Sequence, residues 1–308
     1  MKTKVKGYKG FDKNMQCRGF QYKVGGKYKE DEVSICEKGF HFCENPLDVF
    51  YYYAPADSRY AEVEGDGKIE KHSEDSKVAC SELHIKAEIG LNGLIQAAVK
   101  FILDRVKEDA KESNTGDFSA ATNTGDFSAA TNTGHYSTAA NTGDFSVATN
   151  TGNQSAATNT GCQSAAANTG DQSVATNTGH YSTAANTGDF SVATNTGNQS
   201  AATNTGDQSV ATNIGYYSTA ANTGCRSAAT NIGYRSVASV EGKESVAMAI
   251  GYESKAKGAL GCWIVLSEWE GINGEYHIKD VQCVKVDGEK IKADTYYRLR
   301  NGEFVEAE

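Results

Sequence analysis

The stretch ATNTGDFSAATNTGHYSTAANTGDFSVATNTG spans residues 121–152. It holds almost no large apolar side chain, yet its spacing is strict. The phrase is Gly-x-x-Ser-x-Ala-x-Asn-Thr. Glycine recurs every nine residues from Gly116 to Gly251, sixteen times in all, with serine three positions later from Ser119 to Ser254. Alanine follows two positions after that, from Ala121 to Ala256, and asparagine keeps its slot from Asn123 to Asn231. A fixed short period of this kind is the mark of a solenoid. Serine and alanine two apart share one side of a short strand, and both suit an interior too narrow for leucine. Glycine is expected to supply the turn. The asparagines are expected to stack as a ladder of amides that satisfies buried turn backbone.

Nine residues are too few for two strands and two turns, so each phrase reads as half of an 18-residue coil. Sixteen phrases then give about eight coils and a rod roughly 40 Å long at ~4.8 Å per coil. A triangular coil of three phrases is the rival geometry. The expected fold class is mainly β: a parallel β-solenoid, or β-roll, between a small N-terminal α+β domain and a β-rich C-terminal segment. The expected boundaries are 1–113 for the first domain, 114–258 for the roll and 259–308 for the C-terminal cap.

Outside the repeats, "GFQYKVGGKYKE" reads as a hairpin turning at Gly25 and Gly26. "NPLDVFYYY" reads as a short helix with Asn45 as N-cap and Pro46 in the first helical position. "RYAEVEGDGKIEKH" and "SELHIKAEI" alternate like strands. "LIQAAVKFILDRVKED" places Leu94, Ala98, Phe101, Ile102 and Val106 on one helical face, and this helix and the "CWIVL" strand are expected to cap the roll. Asp-Gly and Asn-Gly pairs mark turns in the last fifty residues.

The net charge of −9 disfavours binding to nucleic acid or to an anionic membrane. No run approaches 18 apolar residues, so no helical bilayer span is expected. The basic N-terminus has no apolar core of a signal peptide, and the eight cysteines are scattered. A cytoplasmic location follows as an expectation. Calcium-binding nonapeptide rolls need a second glycine and a fixed aspartate. Here the residue after glycine varies, so calcium is set aside. The roll's Asp and Glu exceed its Lys and Arg by only four, 9 against 5, too few for a mimic of DNA phosphates.

The position after each serine faces outward in a two-sided roll. One side reads Ala120, Thr138, Ala156, Val174, Val192, Val210, Ala228 and Val246. Val174, Val192, Val210 and Val246 are candidate self-association residues, implying a homo-oligomer. Recurrent Thr-x-Thr on a flat roll also resembles ice-binding surfaces. Residues 130–161 and 175–206 are identical at an offset of five phrases, so the copy moves each residue to the opposite face, which favours a spacer-like rod over a finely specified face.

Three resemblances add to this. "ESVAMAIGYESKAKGALG" resembles the left-handed β-roll phrase of trimeric autotransporter adhesin heads, which implies the roll geometry. The whole chain resembles a family of bacterial and bacteriophage genomes that joins a "CEKGFHFCENPLDV"-type domain to such repeats and a "KGALGCWIVL"-type tail. No activity comes with that family; its setting implies a non-enzymatic interaction or scaffold protein that acts on a host component, by sequestering or anti-defence, with a host protein or a small molecule as partner. The order "KGYKG", "GFHFCENPLDVFYYY", "RYAEVEGDGKI" resembles ADP-ribosyltransferase-like folds, implying Glu62 or Glu64 in the acidic place and His41 or Tyr52 against a sugar. Separately, Cys17, Cys36, His41 and Cys43 form a candidate zinc set with irregular spacing.

Overall fold

The computed structural model describes residues 4–55, 58–73, 75–105 and 111–307. It divides into two compact units, Met1–Asp104 and Arg105–Glu308.

The first unit is a four-stranded antiparallel barrel. Strands β1 (Val5–Phe11), β5 (Phe40–Cys43), β6 (Arg59–Lys71) and β7 (Lys77–Glu88) run in the order β7, β5, β1, β6, and β6 pairs β7 to close the ring. Short strands β2 (Gln16–Cys17) and β3 (Phe20–Gln21) form their own hairpin, and β4 (Lys27–Lys29) extends β7. The hairpin expected around Gly25 and Gly26 is therefore corrected. The two glycines do make a turn, but its backbone bonds with Ile85 and its arms pair elsewhere. Phe11, Tyr22, Phe40, Phe42, Val63, Leu83 and Ile85 fill the barrel. The expected short helix is a 3-10 turn at Pro46–Tyr51, and Asn45 accepts from the Leu47 amide. Helix α1 (Gly90–Leu103) buries Leu94, Ile95, Ala98 and Ile102 and packs on that turn and on β6. The expected helical stretch beyond Arg105, with Val106, lies outside the described residues.

The second unit is a parallel solenoid of about nine turns with two sheets. Strands from β8 (Lys111–Asn114) to β24 (Lys255–Gly258) alternate with those from β9 (Ala120–Thr124) to β25 (Trp263–Ile272). We call the sheet that contains β9 the front sheet and the other the back sheet. Residues 18 apart pair: Ala130 with Ala148, and Ala139 with Ala157. The coil is thus two phrases, not three. One more coil forms than the sixteen glycines imply. "KESN" already pairs with β10 (Ala129–Asn132) ahead of the first glycine, and "WIVL" continues the front sheet after the last.

Every described alanine of the phrase from Ala121 to Ala256 is buried in one column. One methyl group contributes about 0.8 kcal/mol, against roughly 1–2 kcal/mol of backbone ordering for each residue of the phrase. The coil therefore rests on hydrogen bonds and close stacking more than on apolar burial. Serine does much of this. Ser146 Oγ donates to Gly125 O of the coil below, and the Ser128 amide donates to Ser146 Oγ. Asparagine ties the two sheets: Asn159 Nδ2 donates to Ser146 O at 2.8 Å and to Ala165 O at 3.1 Å. The asparagines stack in register and, as expected, their amides satisfy backbone carbonyls.

Glycine's part differs from the expected one. The left-handed backbone belongs to the residue two after it, at Phe118, Tyr136, Gln154 and each later counterpart. Such bulky residues seldom adopt that conformation. From Phe118 to Arg235 each is held by the coil above, as where the Phe118 amide donates to His135 O at 2.9 Å. Glycine is required because the turns touch. A Cβ on Gly188 would lie 2.2 Å from Gly170 O. The residue after glycine caps the next turn with its side chain. Asp126 Oδ1 accepts from the Asp144 amide, and His135 Nδ1 from the Asn153 amide. This explains why Asp, Asn and His recur there.

At the C-terminal end the alanine column gives way to Cys262, Ile264, Leu266, Val286, Ile291, Tyr297 and Leu299. Strand β26 (Glu275–Lys285) folds back on β25 through Asn273 and Gly274, both left-handed. A second hairpin, β27 (Tyr297–Arg300) with β28 (Glu303–Glu306), joins the back sheet at β24.

The stacking contact gives a direct test. Gly188→Ala is expected to destabilise the roll by about 2 kcal/mol or more in urea unfolding. Gly116→Ala, at the open first turn where a Cβ meets nothing within 4 Å, is expected to change stability by less than about 0.5 kcal/mol. Equal effects would refute the contact as glycine's reason.

Candidate functional site

The barrel carries a cleft of about 850 Å³. Its floor is set by strand alternation. Gly7, Lys9 and Phe11 are all buried, so Lys9 joins the interior row of β1. Only 4% of Lys9 is exposed. Its Nζ donates to His41 O at 2.7 Å, lies 3.5 Å from Cys17 Sγ, and sits 5.3 Å from the Tyr22 ring. Among the described residues it has no carboxylate partner. Burial pushes its pKa below the usual lysine range, with Cys17 opposing.

His41 projects from β5 into the same cleft. The Cys36 amide donates to its Nε2 at 3.0 Å, so that nitrogen is an unprotonated acceptor. Burial lowers its pKa, and Lys9, Arg18 and Lys77 lower it further. Beside it, Tyr52 donates to Asp75, and Lys77 Nζ donates to Tyr52 Oη at 3.0 Å while lying over the ring. Burial, then the Asp75 bond, pushes the Tyr52 phenol up to about 12. Lys77 is raised; burial opposes this, but its bonds to Tyr52 and Cys36 outweigh it.

Cys17, Cys36, His41 and Cys43 all line this cleft. They do not converge as ligands, because Nε2 of His41 is taken by backbone and no group of three metal-ligating side chains forms among the described residues. Burial raises the Cys43 thiol pKa, which opposes the thiolate a metal needs. His41 and Tyr52 share the cleft, but Glu62 and Glu64 do not line it. Glu64 pairs with Lys4 at 2.7 Å, and Glu62 is exposed. The constellation implied by the transferase resemblance is not assembled.

Sequence reasoning missed Lys9, Arg18 and Lys77 as a group. The signal was present in "VKGYKGF", where period-two alternation places Lys9 in the row of Gly7 and Phe11.

In the roll, Val174, Val192, Val210 and Val246 lie in one in-register row of the front sheet. Val174 is 40% exposed and Val210 37%, with Val192 and Val246 half-buried. Trp263 continues the row next to Val246 and is exposed. The next outward rows hold Thr158, Thr176 and Thr194, then Thr160, Thr178, Thr196 and Ile214. No outward position of the front sheet from Ala120 to Met248 is charged.

The chain thus joins a small antiparallel barrel to a parallel β-solenoid. Its barrel segment, residues 5–97, matches the family described as "Domain of unknown function (DUF7666)", and the solenoid follows it. No curated protein and no solved structure matches the chain. Among the described residues no helix is long and apolar enough to cross a membrane.

An interior cation without a carboxylate is costly to keep, and an apolar replacement of similar shape is often neutral or better. Lys9→Met is therefore expected to leave the barrel's stability within about 1 kcal/mol of the parent at pH 7, read by thermal and urea unfolding. A loss well above about 2 kcal/mol would show that the lysine is held for structure alone.

Proposed function

We propose that the chain is a non-enzymatic interaction protein whose roll associates with a second copy of itself through the front sheet. The observation that carries this reading is the uncharged outer face with its valine row. Nine strands at ~4.8 Å and three outward positions per strand make a face of roughly 40 by 15 Å. That is roughly 600 Å² per copy and about 1,200 Å² for a pair, within the range of specific interfaces. A flat face with one repeated row is self-complementary under a two-fold axis. Association would present two barrels together and raise their avidity for a common target. From the family resemblance, that target is a host-cell component.

One observation favours a second reading. Thr158 with Thr160, Thr176 with Thr178, and Thr194 with Thr196 form an in-register array of paired hydroxyls on the same face. Such a lattice suits binding to ordered water.

The two readings separate in solution. Light scattering of the full chain at tens of micromolar is expected to give an integral multiple of 32.8 kDa. The double variant Val174→Lys, Val210→Lys is expected to give a monomer, since burying two unpaired cations costs several kcal/mol. A parent chain that stays monomeric would overturn self-association. Thermal hysteresis in that monomer would support the second reading.

A further inference from the structure

We propose that the barrel cleft binds a small phosphorylated ring compound of the nucleotide class, with its phosphate among Lys9, Arg18 and Lys77 and its ring near Phe20. The inference is independent of association through the roll.

The charges come first. The cleft holds five cations, and two are already matched: Lys29 pairs with Glu82 and Lys38 with Glu32. Lys9, Arg18 and Lys77 have no carboxylate ion pair among the described residues. Lys9 donates to His41 O, Arg18 donates to Cys36 O beside the amide that caps His41, and Lys77 is in register with Cys43 on the same strand as His41, so the three flank one residue of the cleft. The two carboxylates of the lining, Glu30 and Glu37, are exposed. A chain of net charge −9 has little reason to concentrate unmatched cations unless an anion joins them. Three cations, one a guanidinium fork, suit the two charges and several acceptors of a phosphate monoester better than one carboxylate. Lys9 supplies the dry part of the site, where a charge-assisted hydrogen bond is strongest.

The rings come second. Phe20 packs edge-on against Tyr22, Tyr28 and Phe40, yet 48% of it remains exposed at the cleft. It therefore offers a surface for stacking a planar group. Tyr8 and Tyr53 also line the cleft and carry phenols of the kind that bind a sugar. The volume lies within the usual range for a ligand of this size.

The test is titration calorimetry of the full chain with the four common nucleoside 5′-monophosphates, adenosine and inorganic phosphate. At least one monophosphate is expected to bind in the micromolar range. Adenosine and phosphate are each expected to bind at least tenfold more weakly. Arg18→Ala and Lys77→Met, both at positions away from the barrel interior, are expected to weaken the monophosphate about tenfold or more, as is Lys9→Met if folded. Phe20→Ala is expected to weaken it while leaving phosphate binding unchanged. Failure of all four monophosphates to bind overturns the proposal. So does adenosine or phosphate binding as tightly as the monophosphate, or affinity unchanged in both Arg18→Ala and Lys77→Met.

Discussion

The roll depends on contact between stacked glycines. Successive turns approach so closely that a Cβ on one glycine would reach the carbonyl oxygen of the glycine 18 residues before it, at 1.9–2.3 Å along the array from Gly134 onward. This contact fixes the register of each coil on the next. Register then brings like onto like: serine hydroxyl to serine amide, asparagine over asparagine, and the side chain after glycine to the amide above it. The same stacking supports the left-handed residues at each turn. Where two aromatics meet at this position they lie face to face, as Phe118 with Tyr136 and Phe127 with Phe145 do, each pair at 4.8 Å. A side chain too large for the column or the turn would break several of these links at once.

Much of the roll was legible because its constraint repeats. Glycine, serine and alanine at fixed offsets report a shared neighbour above and below, and the half-coil follows from length. The reason for glycine was not legible. Composition suggests conformational freedom, whereas the structure shows lack of space, and only stacked coordinates distinguish them. The terminal coil at Lys111–Asn114 was also hidden, since an open end relaxes the demand for small residues and Glu112 occupies an alanine place. In the barrel, local signals such as the Asn45 cap survived, while pairing did not. Gly25 and Gly26 turn the chain, yet the partner of their neighbours is the distant strand β7. The cation group around His41 joins residues from β1, the β2–β3 turn and β7, a proximity that no short motif encodes.

The two units carry opposite chemistry. The barrel gathers unmatched cations and rings in a concave site, and the roll presents a flat face without charge. The repeated segment at residues 130–161 and 175–206 bears on that face. Ala130 begins its copy on the back sheet and Ala175 on the front, so Val147 and Val192 are the same residue of the copy on opposite sheets. Both sheets take the same interior alanines, as Ala130 with Ala148 and Ala175 with Ala193, but their outer rows differ: Val147 is fully buried on the back sheet and Val192 half-buried on the front. Only the front row leaves its valines partly exposed, and Val174, Val192 and Val210 are its longest β-branched run.

The most direct measurement of the central claim is a pulsed spin–spin distance along one row. Nitroxide labels would replace Thr124 and Ile232, with accessible native cysteines changed to serine. Thr124 ends one front-sheet strand and Ile232 directly follows another, six 18-residue coils on, which predicts a separation of about 29 Å. A separation of about 19 Å, as four 27-residue coils would give, would contradict the two-sheet stacking on which the rest of the structure depends.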